Sequence, residues 1–139
     1  LDSNLVATVM QIESCGDPNA RSHAGAIGLF QVMPYHFEPT DSPYKPSVNA
    51  KRGLNYLQLA LAEYNNPSLA FAGYNGGIGT AAKPKSLWPA ETIRYTHWGS
   101  NIYADAKINM RKSDTLNVWL ESGGASLCAQ ANVSLGLSP

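Results

Sequence analysis

Apolar residues in this chain recur three and four positions apart, and no segment shows the alternation of a half-buried strand. Read as a helix, residues 3–14 put Val6, Val9, Met10 and Glu13 on one face. A second stripe, Leu54, Leu57, Leu61 and Tyr64, marks a helix from about Val48 to Tyr64. Asp2 or Ser3 can cap the first helix, and Gly16-Asp17-Pro18 stops it. Pro34, Pro39, Pro43 and Pro46 keep the stretch between them irregular. Asn66-Pro67 starts a helix that closes at Asn75-Gly76-Gly77, and Pro89 opens another that runs through Tyr103. Ser113 caps a last short helix with Leu116, Val118, Trp119 and Leu120, closed by Gly123-Gly124, and the tail from Ala125 has little periodicity. The expected fold is mainly α: a single helical domain whose long loops line a groove.

A chain of 139 residues suits one domain with one core. Charged residues are 14% of it, below the roughly 25% usual for soluble proteins, which suits a partner that is polar and neutral. Net charge is zero, so no field draws the whole chain to nucleic acid or to an anionic membrane. Lys83, Lys85 and Arg94 read as a solvated face. No apolar run approaches the ~20 residues of a membrane span. The chain starts at Leu1 with neither initiator nor leader and reads as a mature or trimmed form. Cys15 and Cys128, with His23, His36 and His97 scattered, do not make a structural zinc site. We expect the two cysteines to be bridged, which would place the protein outside the reducing cytosol; the competing reading is two buried thiols.

Glu13 is the residue with the most chemical potential. A carboxyl among apolar neighbours is costly to ionise, so its pKa should rise toward the range useful to a proton donor. The plain alternative is a surface carboxylate at a helix end. The following Gly25-Ala26-Ile27-Gly28-Leu29-Phe30-Gln31-Val32-Met33-Pro34 can bring backbone close to that acid. Tyr74 and Asn75 put a hydroxyl and an amide where a helix ends, and Glu91-Thr92 opens the next long one. Gly77-Ile78-Gly79-Thr80-Ala81-Ala82 fits a relaxed dinucleotide fingerprint, but helix rather than strand precedes it and no acid follows about 20 residues on. Asn132-Val133-Ser134 is a glycosylation sequon by letter only.

Together these segments resemble the soluble lytic transglycosylases, relatives of goose-type lysozyme. Ile12-Glu13-Ser14, Pro18, Ala20, Ser22, Gly25-Ala26, Gly28-Leu29, Gln31 and Met33-Pro34 look like that family's first signature. Asn49 with Gly53, Tyr56 and Leu57, then Ala72-Gly73-Tyr74-Asn75-Gly76-Gly77, then Glu91-Thr92 with Tyr95, follow in the family's order. The resemblance spans about Leu5 to Tyr103. It implies a lysozyme-like fold of the α+β superfamily in its mainly α form, with a glycan-binding cleft. A catalytic domain would cover residues 1–110, with 111–139 a C-terminal helix and tail packed on it. By position, Glu13 matches the single catalytic acid and Ser22 the residue that hydrogen-bonds the sugar's N-acetyl side. Gln31, Met33, Tyr74, Asn75 and Glu91 match substrate-binding positions.

The implied reaction is cleavage of the β-1,4 bond between N-acetylmuramic acid and N-acetylglucosamine in peptidoglycan, leaving 1,6-anhydromuramoyl ends. The implied protein is an extracytoplasmic monomer (secreted, periplasmic or cell-wall associated) acting on glycan strands, with no metal or organic cofactor and no nucleic-acid partner. Asp17, Glu38 and Asp41 lie in neighbouring loops, and their spacing gives none of them a second catalytic role. Two other readings compete: a hydrolytic muramidase like goose lysozyme, and a non-catalytic glycan-binding module. The chain departs from the family at Phe30, where Met is common, at Gly73, where Ala is usual, and in a short interval from Tyr74 to Glu91.

Overall fold

A computed structural model describes residues 1–137. Helix α1 spans Ser3–Ser14, α2 Pro46–Tyr64, α3 Pro67–Gly76, α4 Ile78–Ala81, α5 Ala90–Lys107, α6 Asp114–Trp119 and α7 Ala125–Ser134. Single 3-10 turns occupy Pro34–His36 and Lys85–Leu87. The described residues contain no β-strand, only the isolated antiparallel bridges Arg21–Ile27 and Ile27–Val32. The class is therefore all-helical, as the periodicity and the absence of alternation require.

The ends of these helices follow from local chemistry. The Asp2 carboxylate accepts from Asn4 N–H at 2.7 Å, which caps α1, and also from the Tyr103 hydroxyl at 3.1 Å. Those bonds, the backbone one foremost, hold its carboxyl below the usual 3.8. Asn66 Oδ1 accepts from Leu69 N–H, with Pro67 at the first helical position of α3. Gly77 ends α3 at φ 95°, a left-handed conformation that glycine adopts without a Cβ penalty. Ser113 Oγ accepts from Leu116 N–H and starts α6.

The chain forms two compact units: Leu1–Val9 with Asn55–Asn117, and Met10–Leu54 with Val118–Pro139. In the first, Phe71 on α3 is fully buried and meets the rings of Tyr95 and Tyr103 on α5 edge-on, each at 6.3 Å between centroids. Gly99 permits that approach, since a Cβ there would lie 2.6 Å from the Phe71 ring. Ala72, Ala81 and Trp88 form a second buried group beside Tyr64 and Leu69. Trp88 Nε1–H donates to the Lys83 carbonyl at 3.0 Å, and the Tyr64 hydroxyl donates to the Ile78 carbonyl. Gly77–Ala82 thus follows a helix and enters α4, which removes the dinucleotide reading on structural grounds.

In the second unit the tail is where expectation and structure differ. The sequence stops a helix at Gly123-Gly124 and leaves the rest aperiodic; the structure continues through a π-type turn at Leu120–Gly124 into α7. Gly123, at φ 124°, supplies a kink rather than a stop. Gly124 lies under Trp119, where a Cβ would sit 2.5 Å from the indole. Only Ala131 of α7 is buried, so the helix has almost no apolar stripe to betray it. Cys128 is bridged to Cys15 with Cα atoms 5.1 Å apart, joining α7 to the end of α1.

Arg52 on α2 holds the proline-rich loop in this same unit. Its Nε and Nη2 donate to the two Asp41 oxygens at 2.8 and 3.3 Å, and Glu38 Oε1 lies 3.6 Å away. The guanidinium, together with the Glu38 backbone N–H, keeps the Asp41 carboxyl below the usual 3.8. A carboxyl depressed by folding contributes stability above its unfolded pKa and loses it as pH falls through the folded one. The melting temperature of Arg52→Met should therefore lie below that of the wild type at pH 6 and converge on it as the pH falls through the depressed Asp41 pKa. Parallel melting curves across that range would show that the pair does not act through Asp41.

Candidate active site

The sequence-predicted site residues fall in both units, and each group has its own geometry. Glu13, Ser22, Gln31 and Met33 belong to the unit formed by Met10–Leu54 and Val118–Pro139. Glu13 is half-buried on the last turn of α1, one position before Ser14, which is fully buried. Ser14 Oγ donates to the Leu29 carbonyl at 2.7 Å and accepts from Gly16 N–H at 3.1 Å. Cys15, next in the chain, takes φ 52° and carries the disulfide. Gln11 Nε2, one turn earlier, lies 3.2 Å from Cys15 Sγ and 3.6 Å from Cys128 Sγ. The turn bearing Glu13 is thus tied by a hydrogen bond to the Gly-rich loop and by a covalent bond to α7.

The loop itself is built around Asn49. This residue is fully buried on α2, donates to the Ile27 carbonyl at 2.7 Å and the Pro43 carbonyl at 3.1 Å, and accepts from Phe30 N–H at 2.9 Å. A Cβ at Gly28 would lie 2.6 Å from the Asn49 amide nitrogen, and Gly28 sits at φ 74°, so only glycine fits. Gln31, at φ 48°, donates from Nε2 to the Ala20 carbonyl at 3.2 Å and the Gly28 carbonyl at 3.0 Å. Both amide N–H groups of Gln31 therefore serve the loop, and what this side chain can offer a ligand is its carbonyl oxygen. Ser22 Oγ accepts from Ala26 N–H at 3.0 Å, an arrangement in which its own hydroxyl hydrogen points elsewhere. Met33, half-buried, starts the 3-10 turn at Pro34–His36.

Three further carboxylates of this unit have structural partners. Asp17 is buried and accepts from Asn19 N–H at 2.8 Å. Asp41 and Glu38 face Arg52.

Tyr74, Asn75 and Glu91 belong to the other unit. Tyr74 and Asn75 lie in the last turn of α3, and the Tyr74 ring sits 5.8 Å from that of Tyr56 on α2. Asn75 Oδ1 accepts from the Thr92 hydroxyl at 2.9 Å, while its Nδ2 stands 3.5 Å from Glu91 Oε1. The structure brings Asn75 and Glu91 together, with the buried Thr92 behind them. Sequence reasoning assigned no role to Asn49 or Thr92. The signal for Asn49 was an amide in phase with Gly53, Leu57 and Ala60 on the face of α2 that is buried. Among the described residues no group of three His, Cys, Asp or Glu side chains is placed to hold a metal ion, and no helix is long and apolar enough to cross a membrane.

Comparison with known proteins agrees in kind. A family model described as the transglycosylase SLT domain matches residues 1–95. The chain is 36% identical over 97 residues to a "Transglycosylase" of Enterobacteria phage PRD1, covering 68% of this chain and 35% of the phage protein. It is 33% identical over 114 residues to "Membrane-bound lytic murein transglycosylase C" of Actinobacillus succinogenes, covering 67% of this chain and 32% of that protein. To the protein of the same name in Haemophilus influenzae it is 33% identical over 104 residues, 60% of this chain and 29% of the relative. The chain thus spans about a third of the length of these curated relatives. No solved structure matches it.

Proposed function

The chain belongs to the transglycosylase SLT domain family, and from that premise we propose that it is a peptidoglycan lytic transglycosylase. It cuts the β-1,4 bond between N-acetylmuramic acid and N-acetylglucosamine, with Glu13 as the single catalytic acid and residues 1–110 as the catalytic domain. The reading rests on the anchoring of Glu13. Its turn is fixed by the Ser14–Leu29 hydrogen bond on one side and the Cys15–Cys128 bridge on the other. An acid that must hand over a proton and then take one back gains from being held in place.

In the proposed reaction Glu13 protonates the bridging oxygen as the bond to C1 of the muramoyl residue breaks. The substrate's own N-acetyl group stabilises the cationic carbon. The Glu13 carboxylate then removes the proton of the C6 hydroxyl, whose oxygen closes onto C1. The carboxylic acid is regenerated, no water is consumed, and the product carries a 1,6-anhydro ring. Most glycosidases that deliver water or form a covalent intermediate use a second carboxylate. The structural engagement of Asp17, Glu38 and Asp41 supports a scheme without one. Ser22, whose hydroxyl hydrogen is not used on Ala26, is suited to donate to the N-acetyl carbonyl. Met33, Gln31 through its carbonyl, Tyr74, Asn75 and Glu91 are assigned to glycan binding. The bridged cysteines and a wall substrate together argue for an extracytoplasmic place of action.

Mass spectrometry of peptidoglycan digested by the purified protein tests this directly. Muropeptides with 1,6-anhydro ends are expected. Products with reducing ends would replace the reading with a hydrolytic muramidase, and bound but uncut glycan would reduce the chain to a binding module.

A further inference from the structure

We infer that Thr92 is a positioning residue for glycan recognition: its buried hydroxyl fixes the Asn75 carboxamide so that a defined donor face meets the substrate. The inference rests on the reading of Asn75 and Glu91 as glycan-binding residues and adds to them a residue with no substrate contact of its own. Thr92 is 1% exposed and lies one position after Glu91 in the first turn of α5. Its Oγ1 is 2.9 Å from Asn75 Oδ1, so the last turn of α3 and the first turn of α5 are joined through these two side chains. The two helices also close together there, because a Cβ at Gly76 would lie 2.7 Å from that same Thr92 oxygen. A side chain larger than glycine at position 76 would displace the hydroxyl from Asn75.

The orientation of the amide follows from what surrounds it. A threonine hydroxyl can donate or accept, so Thr92 alone would accommodate either face of the Asn75 carboxamide. Glu91 breaks the tie. An ionised carboxylate only accepts, so the amide nitrogen, 3.5 Å from Glu91 Oε1, belongs on the Glu91 side and the amide oxygen on the Thr92 side. At 3.5 Å the contact to the exposed Glu91 is long, and the Thr92 bond is the one with good geometry. Thr92 therefore holds the plane of the amide and Glu91 selects its face. With one amide N–H turned toward Glu91, the second can donate to a ligand, beside a carboxylate that can accept. A donor and an acceptor side by side complement a neutral group that carries both, such as the acetamido group of an N-acetylated sugar.

Removing the Thr92 hydroxyl while keeping its volume should loosen this arrangement without emptying the core. We expect Thr92→Val to weaken binding of soluble glycan strands about fivefold, the effect of roughly one net hydrogen bond, with kcat changed less than twofold and KM raised correspondingly. Thr92→Ser, which keeps the hydroxyl, should restore wild-type binding. Thr92→Val combined with Asn75→Ala should bind no more weakly than Asn75→Ala alone, because Thr92 acts through Asn75. Affinities measured in a Glu13→Gln background keep the substrate intact, and melting temperatures of all variants identify any that are merely unfolded. Equal affinity in wild type and Thr92→Val, failure of serine to rescue, or multiplicative losses in the double variant would each overturn the inference. Should the wild type bind strands but form no anhydro product, the functional reading falls while these affinities still decide the role of Thr92. Should no form of the protein bind glycan, both fall.

Discussion

Glu13→Gln is expected to bind peptidoglycan as the wild type does and to turn it over at least about 10³-fold more slowly. General acid catalysis alone contributes about 10²–10⁴ in rate. Here one group serves both steps, so its loss removes proton donation to the leaving oxygen and proton removal from the C6 hydroxyl together. The glutamine amide keeps the shape of the carboxyl and can still donate weakly, but it cannot act as an acid and then as a base. The pattern to look for is a kcat that collapses with KM little changed, which marks an interaction made in the transition state. Release of anhydro-muropeptides gives the rate, and pelleting with insoluble peptidoglycan gives the binding. Comparable turnover in the two proteins would remove Glu13 from the mechanism.

How far the sequence anticipated the fold varies by element, for physical reasons. Helix α1 runs from Ser3 to Ser14 as its stripe indicates, since a cap, an apolar face and a Gly-Asp-Pro stop all agree. Helix α2 begins at Pro46 rather than near Val48, because proline is tolerated in a first turn whose N–H has no intrahelical acceptor. Its most deeply buried line runs through Asn49, Gly53, Leu57 and Ala60, while Leu54, Leu61 and Tyr64 flank it half-buried. Reading only large apolar residues therefore drew the stripe slightly off its true centre and passed over the amide that organises the loop. Helix α7 left no pattern at all, with Ser126, Ala129, Gln130, Asn132 and Val133 exposed along it.

The resemblance to the lytic transglycosylases is what singles out Glu13, Ser22, Gln31, Met33, Tyr74, Asn75 and Glu91 as the proposed site. What it could not carry is which side chains hold the others. Gln31 turns its amide hydrogens into its own loop, Ser14 links the acid's turn to Leu29, and Thr92 stands behind Asn75. The bonds of Gln31 to Ala20, Ser14 to Leu29 and Thr92 to Asn75 join residues 11 to 17 positions apart, and a one-dimensional pattern holds no record of such pairings.

Replacing Cys15 and Cys128 together by serine should destabilise the protein by about 4–5 kcal/mol on the chain-entropy model, because the bridge closes a loop of 113 residues. For a chain of this length that corresponds to a fall in melting temperature of roughly 15 °C. The loss should not be uniform. With one buried residue, Ala131, α7 has little but the bridge to hold it, so its amides should exchange first when the bond is removed. Cys15 occupies a left-handed conformation that costs a non-glycine residue about 1 kcal/mol, and the tether offsets that cost. Freed of it, the end of α1 should fray toward Glu13, two positions away, so turnover should fall by more than the unfolded fraction explains. Hydrogen exchange would then show lost protection over residues 10–33 and 125–134 and retained protection in α3 and α5. A variant with unchanged exchange over residues 125–134 and an unchanged melting temperature would mean that packing alone seats α7, leaving the bridge with no part in presenting the acid.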